Sequence, residues 1–330
     1  MTSVRLALKR LRARPLLTAL LAIGLSLVVA LPTAIPAYSD AAISRVLTEQ
    51  DFQEAGYRPP FSYLYWYSAA LSDPIGWDDV EDVDAFLMEE GLTSIGLPLE
   101  TLSSFFDTIR YGARWGSEDQ AVVRLATMSD LEERVRLTEG SFPGSPNPSE
   151  PFDVVVHDSR SEDLGISVGD VLELADLEID PDGPRAGPSV RIAGFWEEAD
   201  PDDPYWIIAP DQLVNRFFTH REVLTDILPV DRPDLLSTAA WFTVLDTATL
   251  SAGDVDGIVD NSRRVTRTAL TMLPGLWLQV DPLDGFVEFQ ERSEALMRRL
   301  NAFALPAIGL SLLFVGLIVS LTTNERRAEF

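Results

Sequence analysis

The chain of 330 residues contains no cysteine, one lysine and two histidines, and each scarcity excludes a kind of chemistry. Without cysteine there is neither a disulfide framework nor a catalytic thiolate. Because Lys9 is the only lysine, no G-x-x-x-x-G-K-[ST] phosphate loop is present, and the chain is not itself a P-loop ATPase. His157 and His220 have no histidine or cysteine neighbours at metal-ligand spacing, so the sequence predicts no zinc site.

Negative charge is abundant and unevenly distributed. The formal net charge is −26, yet residues 1–39 contain five basic residues and no acidic one. Nearly all the acidic side chains therefore lie between Asp40 and Asn324. A long, solvated acidic stretch repels phosphate backbones, which argues against nucleic-acid binding.

Two long runs without charge predict a membrane protein. They cover residues 15–39 and 301–324, that is 25 and 24 residues, whereas a helix needs about 20 apolar residues to cross a bilayer. The basic segment 1–14 predicts a cytoplasmic N-terminus. Residues 40–300 would then lie outside the cytoplasm, and residues 325–330 would lie inside.

Two alternatives to this topology come from the same residues. A cleaved signal peptide could account for residues 1–38, although the apolar stretch exceeds a usual signal-peptide core and ends without a tidy cleavage site. A buried core helix could account for the second run, but the length of this run without a charged residue argues against that alternative. Arg298 and Arg299 lie on the outer side of the second span, which does not fit the predicted topology. The larger N-terminal basic cluster outweighs them in setting the orientation.

Between the two runs the pattern predicts an α+β domain. The aromatic segment 61–70 is typical of a strand, and so are 241–246 and 277–282. Apolar residues at three- and four-residue spacing predict a helix over 78–91, and the stretch 252–272 is predicted to be partly helical.

A β-rich module is predicted over about 141–210. Before it, residues 129–139 predict a short helix or a helix-to-strand junction, with Ser129 as a candidate cap. The loop 140–151 is rich in glycine and proline. Short runs rich in β-forming residues predict three strands, at 152–158, 170–177 and 189–196. Residues 180–187 are predicted to form the turn between the last two strands.

From about Asp284 the chain is predicted to be one helix that continues into the second span. Its length, about 40 residues at 1.5 Å each, would be roughly 60 Å. A heptad-like seam predicts either packing against an outward extension of the first helix or a stripe against the base of the domain. The seam residues are Phe286, Phe289, Ser293, Leu296, Leu300 and Phe303.

Three weaker patterns could carry chemistry. Residues 165–169 fit the G-x-S-x-G nucleophile elbow around Ser167, but a loop precedes the serine and a strand follows it, so turn glycines are the better interpretation. Acidic clusters at 78–84, 180–182 and 200–203 lack EF-hand spacing and are interpreted as solvated faces and turns. Four aromatic residues could form a binding face but are expected to be core: Tyr63, Tyr65, Trp66 and Tyr67.

The order of several short motifs resembles the MacB/FtsX-like ABC-transporter permeases. The string LTEGSFPG…FDVVVHDSRSEDLGISVGDVLELADL…VRIAGFW is similar to the periplasmic core of that family. The element ADPDDPYW, the opening RLALKRLRARP and the closing NERRAEF resemble further parts of it. The positions that match the family pattern of the core are Gly140, Leu164, Gly165, Val168, Gly169, Asp170 and Gly194.

The resemblance implies a permease subunit in a bacterial cell (inner) membrane that is not an enzyme by itself. A cytoplasmic ABC ATPase subunit would bind ATP-Mg, and this chain would bind no cofactor. Further partners would be a second permease copy or half and the lipid bilayer. The opening of the coupling segment to the ATPase would include Glu325, Arg326, Arg327 and Glu329. Since the family continues with further spans, we expect this chain to be the N-terminal part of a longer protein.

The resemblance also implies the mechanism, which is movement of the outer domain and not passage of a substrate through the bilayer. Two hypotheses of other classes remain. A span, an outer domain and a second span are also the plan of bacterial transmembrane receptors. A secreted or anchored hydrolase would use Ser167 as its nucleophile.

Overall fold

The computed structural model describes residues 61–115, 119–177, 186–206, 208–251 and 253–287, with single positions among 23–30 and 289–320. The predicted spans lie outside the described residues except for those positions, and the predicted cytoplasmic segments lie outside them entirely. Each described position from 283 to 320 is helical. Within the part of the chain that the structure describes, no helix combines the length and the apolarity that crossing a membrane requires.

The chain divides into two compact units. One comprises residues 51–250 and 254–286, and the other comprises 1–50, 251–253 and 287–330. The elements below belong to the first unit, which contains the acidic domain predicted between the two uncharged runs.

The first unit contains eleven described strands and five described α-helices. The strands are β1 (Ser62–Ser68), β2 (Leu99–Thr108), β3 (Tyr111–Trp115), β4 (Asp119–Met128), β5 (Val135–Gly140), β6 (Phe152–His157), β7 (Val171–Asp176), β8 (Ala186–Glu198), β9 (Arg216–Thr219), β10 (Leu236–Leu245) and β11 (Trp277–Val280). The helices are α1 (Trp77–Ala85), α2 (Leu131–Arg134), α3 (Ser159–Leu164), α4 (Leu228–Asp231) and α5 (Val255–Met272). Four shorter helical segments complete the set, two of π type (Phe86–Gly91 and Val223–Ile227) and two of 3₁₀ type (Leu92–Ile95 and Pro210–Gln212).

All eleven strands belong to one sheet. An open part runs in the order β11-β1-β10-β2-β4. From β4 the sheet continues through β3, β7, β8, β6 and β9, and β9 pairs with β4 again, so six strands form a closed ring. Strand β5 is attached to β8. The pairs β4–β9 and β6–β8 are parallel, and the other pairs are antiparallel.

The central strand of the open part is buried on both faces, which explains its composition. All ten residues of β10 are buried, as expected for a near-continuous run of apolar and small residues in a central strand. Helix α5 covers one face, because Ile258, Val265 and Ala269 recur at the spacing of one helical face and are buried. Tyr63 and Tyr65 of β1 are also fully buried on that side.

The predicted strands at 61–70, 241–246 and 277–282 are confirmed, as are helices within 78–91 and 252–272. The mixed α and β content agrees with the predicted fold class. Residues 129–139 form a helix-to-strand junction, but the prediction that Ser129 caps the helix is wrong. The residue before the helix is Asp130, and the Ser129 hydroxyl accepts the Ser104 N–H instead, at 2.8 Å.

The predicted β-rich module is larger than the sequence indicated, and it is continuous with the rest of the sheet. Strands β6, β7 and β8 match the three predicted runs. However, β3 and β4 complete the same ring and lie well before residue 141. Strand β4 is shared, since it pairs with β2 of the open part as well.

Candidate functional site

The two ends of the described domain meet at one place, which we call the base. Leu64 of β1 is opposite Val280 of β11 in an antiparallel pair. Just outside these strands, the rings of Phe61 and Phe286 lie 4.7 Å apart between centroids, and both side chains are buried. The Phe61 carbonyl accepts the Leu245 N–H at 3.1 Å, which ties the same point to the end of β10.

Two buried hydroxyl pairs connect β1 to α5 above the base. The oxygens of Tyr63 and Ser262 are 2.5 Å apart, and those of Tyr65 and Thr266 are 2.9 Å apart. Because Ser262 donates its proton to the Ile258 carbonyl at 2.7 Å, the Tyr63 hydroxyl is the donor in the first pair. Burial raises the pKa of the Tyr63 hydroxyl and raises that of Tyr65 to about 12.

A buried carboxylate connects α1 to β10 and to the segment after β9. Asp84 accepts a hydrogen bond from Trp241 Nε1 at 2.8 Å and pairs with the Arg221 guanidinium at 2.6 Å. The same guanidinium lies over the ring of Trp77, 4.9 Å from its centroid, and over the ring of Phe106 at 5.1 Å. The sequence-based interpretation of 78–84 as a solvated acidic face is therefore wrong at Asp84, because its partners lie far away in the chain.

A second buried carboxylate joins the open part to the ring. Asp107 of β2 is fully buried and lies 3.2 Å from Arg124 of β4 and 3.3 Å from Arg216 of β9. Burial raises the pKa of the Asp107 carboxyl, and the two guanidinium groups oppose that rise. The bridge holds three strands together where β4 belongs to both parts of the sheet.

Two motif glycines, Gly140 and Gly194, are direct partners in the β5–β8 pair. Gly140 has φ +81°, and a Cβ atom there would lie 2.1 Å from the Ala193 carbonyl oxygen. A Cβ atom at Gly194 would lie 2.7 Å from the Glu139 carbonyl oxygen. The two strands approach so closely that neither position has room for a side chain.

The other motif residues form a turn that docks on the same part of β8. Gly165 and Gly169 have φ values of +62° and +96°, which favour glycine. The Gly169 N–H donates to the Ile192 carbonyl at 2.8 Å, and the Ile192 N–H donates to the Asp170 carbonyl at 2.9 Å. The structure thus brings Gly140, Gly169, Asp170 and Gly194 together around residues 192–194, where they shape the backbone. Gly165 instead ends helix α3.

The remaining candidates from the sequence have ordinary surroundings. Ser167 is exposed in that turn, and its N–H donates to Asp170 Oδ2 at 2.8 Å. A helix precedes it and a strand follows, the reverse of a nucleophile elbow. His157 lies 2.8 Å from the Ser159 hydroxyl and 3.3 Å from Glu198. Among the described residues, no three potential metal ligands lie close enough together to hold an ion.

The segment 199–206, which ends in Tyr205 and Trp206, packs against the closed ring of six strands. The Tyr205 hydroxyl donates to the Ser129 carbonyl at 2.6 Å, and burial raises its pKa. Arg134 lies over the Tyr205 ring and pairs with Asp203 at 3.0 Å. Trp206 stacks on the buried Trp196 with centroids 6.2 Å apart. The Asp200–Asp203 cluster is thus part of a structural turn, as the sequence predicted.

A cleft of about 650 Å³ opens at the end of β10 that is distal to the base. One wall is the segment after the π-helical turn, including Leu228 and Val230, and the opposite wall is formed by Phe152 and Pro188. An ion pair between Arg232 and the buried Asp176 forms part of the lining. Sequence reasoning missed this cleft, since its walls come from five separate segments.

The described residues thus define a mixed α and β domain in which Phe61, the first residue of the continuous described part, packs against Phe286. No family model matches the chain, and no curated protein sequence matches it.

Solved structures provide three similar folds. One is the extracellular domain of the ABC-type transporter YknZ from Gram-positive bacteria, at 10% identity and a TM-score of 0.37, covering 66% of this chain and 100% of that one. Another is the periplasmic region of MacB from Actinobacillus actinomycetemcomitans, at 9% identity and a TM-score of 0.36, covering 68% of this chain and 92% of that one. A third is a domain of a Porphyromonas gingivalis protein described as a permease, at 11% identity and a TM-score of 0.31, covering 68% of this chain and 88% of that one. The structural neighbours include domains of MacB-like and YknZ-like ABC transporters, the family that the sequence resembles.

Proposed function

We propose that the chain is a permease subunit of an ABC transporter of the mechanotransmission type. A partner ATPase in the cytoplasm would hydrolyse ATP, and this chain would convert that work into movement of an extracytoplasmic domain. The domain would act on a lipid, a lipoprotein or a peptide. The observation that carries the proposal is the base, where the helix that begins at 283 packs on the start of the first described strand.

The contacts at the base supply a route for such movement. The helix that begins at 283 carries Phe286, whose ring packs on Phe61 at the start of β1. Strand β1 is paired along its whole length with β10 and is tied to α5 by the Tyr63 and Tyr65 hydroxyls. Because packed interiors are dense and resist compression, displacement of the helix would move β1 and its neighbours together.

Membrane topology is the first test. Because the chain contains no cysteine, a maleimide can react only with a cysteine introduced by mutation. Ser145→Cys lies in an exposed loop of the domain and should react with a membrane-impermeant maleimide in intact cells. Ala328→Cys, in the predicted cytoplasmic segment, should react only after permeabilisation. Equal labelling of both variants in intact cells would contradict the topology.

Coupling to an ATPase is the second test. The full chain, purified with its partners from native membranes, should carry ATP hydrolysis activity. Reversing charge in the predicted coupling segment, with Arg326→Glu and Arg327→Glu, should remove that activity. The matched control reverses Arg298 and Arg299, which lie outside the cytoplasm in this proposal, and should retain it. Retention of a kinase in place of an ATPase would favour the receptor hypothesis.

A further inference from the structure

The distal cleft has walls of two chemical kinds. Apolar surface comes from Phe152, Pro188, Leu228 and neighbouring side chains. Val230 lies beside them with 81% of its surface exposed. A ligand with an apolar body could cover this surface and release the water around it.

The polar part of the lining is mainly acidic. Among the described residues that line the cleft, Arg232 is the one basic residue, and it pairs with Asp176 and lies 3.5 Å from Asp234. Besides Asp176, three exposed carboxylates lie on the rim. That of Glu150 lies 3.7 Å from the Arg191 guanidinium, and the other two are those of Asp226 and Asp231. An anion would face this negative rim, and the guanidinium is already committed to carboxylates.

Size and local backbone agree with a binding role. The volume of about 650 Å³ lies within the range of sites for small organic ligands. Asp226 and Ile227 belong to the π-helical segment Val223–Ile227, and π-helical turns frequently occur at functional sites. Neither Phe61 nor Phe286 is among the described residues that line the cleft, so a bound ligand would not contact that pair.

We propose that the distal cleft binds an organic cation that has an apolar body. The rim carboxylates hold the positive charge, while the apolar walls hold the body of the ligand. A free small molecule and a peptide with a basic side chain next to aromatic ones share this chemistry. The proposal does not rest on the permease function, because a receptor would use the same site.

The test compares two probes of the same shape and opposite charge, tetraphenylphosphonium and tetraphenylborate. Calorimetric titration of the full chain in detergent micelles, with empty micelles subtracted, should show saturable binding of the cation and none of the anion. Removing a rim carboxylate by Asp226→Asn or Asp231→Asn should weaken cation binding about fivefold each, as expected for a close charge pair in water. Glu81→Gln, on the exposed side of α1, is the matched control and should leave it unchanged.

A second variant separates the cleft from general surface charge. Ala186→Phe places a ring in the cleft without changing charge, and it should weaken cation binding about tenfold through the lost apolar contact. Circular dichroism shows whether this variant is folded, and the rim variants test the proposal independently of it. Equal binding of the two probes, or equal losses in the rim and control variants, would overturn the proposal.

The source of the ligand is decided by two peptides, acetyl-Phe-Arg-Pro-Phe-amide and its counterpart with neutral citrulline in place of arginine. Binding of the arginine peptide alone assigns the site to polypeptides, whereas binding of tetraphenylphosphonium without either peptide assigns it to small organic cations. Failure of this experiment leaves the ATPase test unaffected, since the Arg326 and Arg327 variants do not alter the cleft.

Discussion

Phe61 and Phe286 pack against each other with ring centroids 4.7 Å apart and a tilt of 46°, although 225 positions separate them in the chain. Phe61 precedes the first described strand and Phe286 follows the last. Phe61 also adopts φ +60°, a region that bulky residues rarely occupy, so the fold holds this residue in place. The contact joins the start of the first described strand to the helix that follows the last one.

Removing that contact should destabilise the domain. Phe286 is fully buried, and we expect Phe286→Ala to lower the free energy of unfolding by about 3–5 kcal/mol. The adjacent Val287 is 40% exposed, and Val287→Ala should change it by about 0.5 kcal/mol or less. Urea unfolding of the full chain, followed by aromatic circular dichroism, measures both. Similar losses in the two variants would show that Phe286 contributes nothing special.

The pair Tyr63 and Ser262 should respond asymmetrically to mutation. Ser262→Ala leaves the buried Tyr63 hydroxyl without an acceptor and should cost about 1–3 kcal/mol. Tyr63→Phe leaves Ser262 bonded to the Ile258 carbonyl and should cost about 1 kcal/mol. The double variant should be more stable than the sum of the single losses predicts, as a double-mutant cycle would reveal. Strict additivity would mean that the two hydroxyls do not interact.

Strand and helix types could be predicted where one pattern dominates. The aromatic strand β1 and the amphipathic helix α5 are examples, since their side chains alone determine which face is buried. Strands β2, β3 and β4 were not predicted. In β2 the buried residues include Ser103, Asp107 and Thr108, so polar positions interrupt the apolar pattern that marks a strand.

The partners of buried charges could not be predicted for a different reason. Asp84 and Arg221 are 137 positions apart, and Arg216 and Asp107 are 109 apart. A carboxylate without a visible partner is expected to face solvent, and only the folded topology supplies the guanidinium that allows burial. The motif glycines were identified by family pattern, but their pairing depends on the register of β5 and β8.

Buried tyrosines should make the domain sensitive to alkaline pH. The Tyr65 pKa is raised from 10.0 to about 12 in the folded state, so the unfolded chain releases this proton first. The contribution of Tyr65 to the free energy of unfolding is fully present below pH 10 and should be lost as pH rises from 10 toward 12. Denaturant titrations across that window, with tyrosinate absorbance as a second probe, measure the slope. Tyr65→Phe should reduce the slope, and an unchanged slope would contradict the assignment.

Gly140 should not tolerate a side chain. Gly140→Ala combines a positive φ with a close approach to Ala193, and we expect it to cost about 3 kcal/mol or more. Gly257 lies inside α5 with open space around its Cβ position, so Gly257→Ala should stabilise the chain by about 1 kcal/mol. Thermal unfolding of both variants checks the prediction. Equal tolerance at both sites would show that the β5–β8 approach is looser than described.

The pairing of the first described strand with the last also bears on how such a domain could be gained or exchanged. A domain whose ends lie together can be inserted between two neighbouring helices without forcing them apart. The host needs only two adjacent attachment points, and the inserted fold needs only its own core. The segment from Phe61 to Phe286 is therefore a natural unit to graft between two adjacent attachment points of another protein.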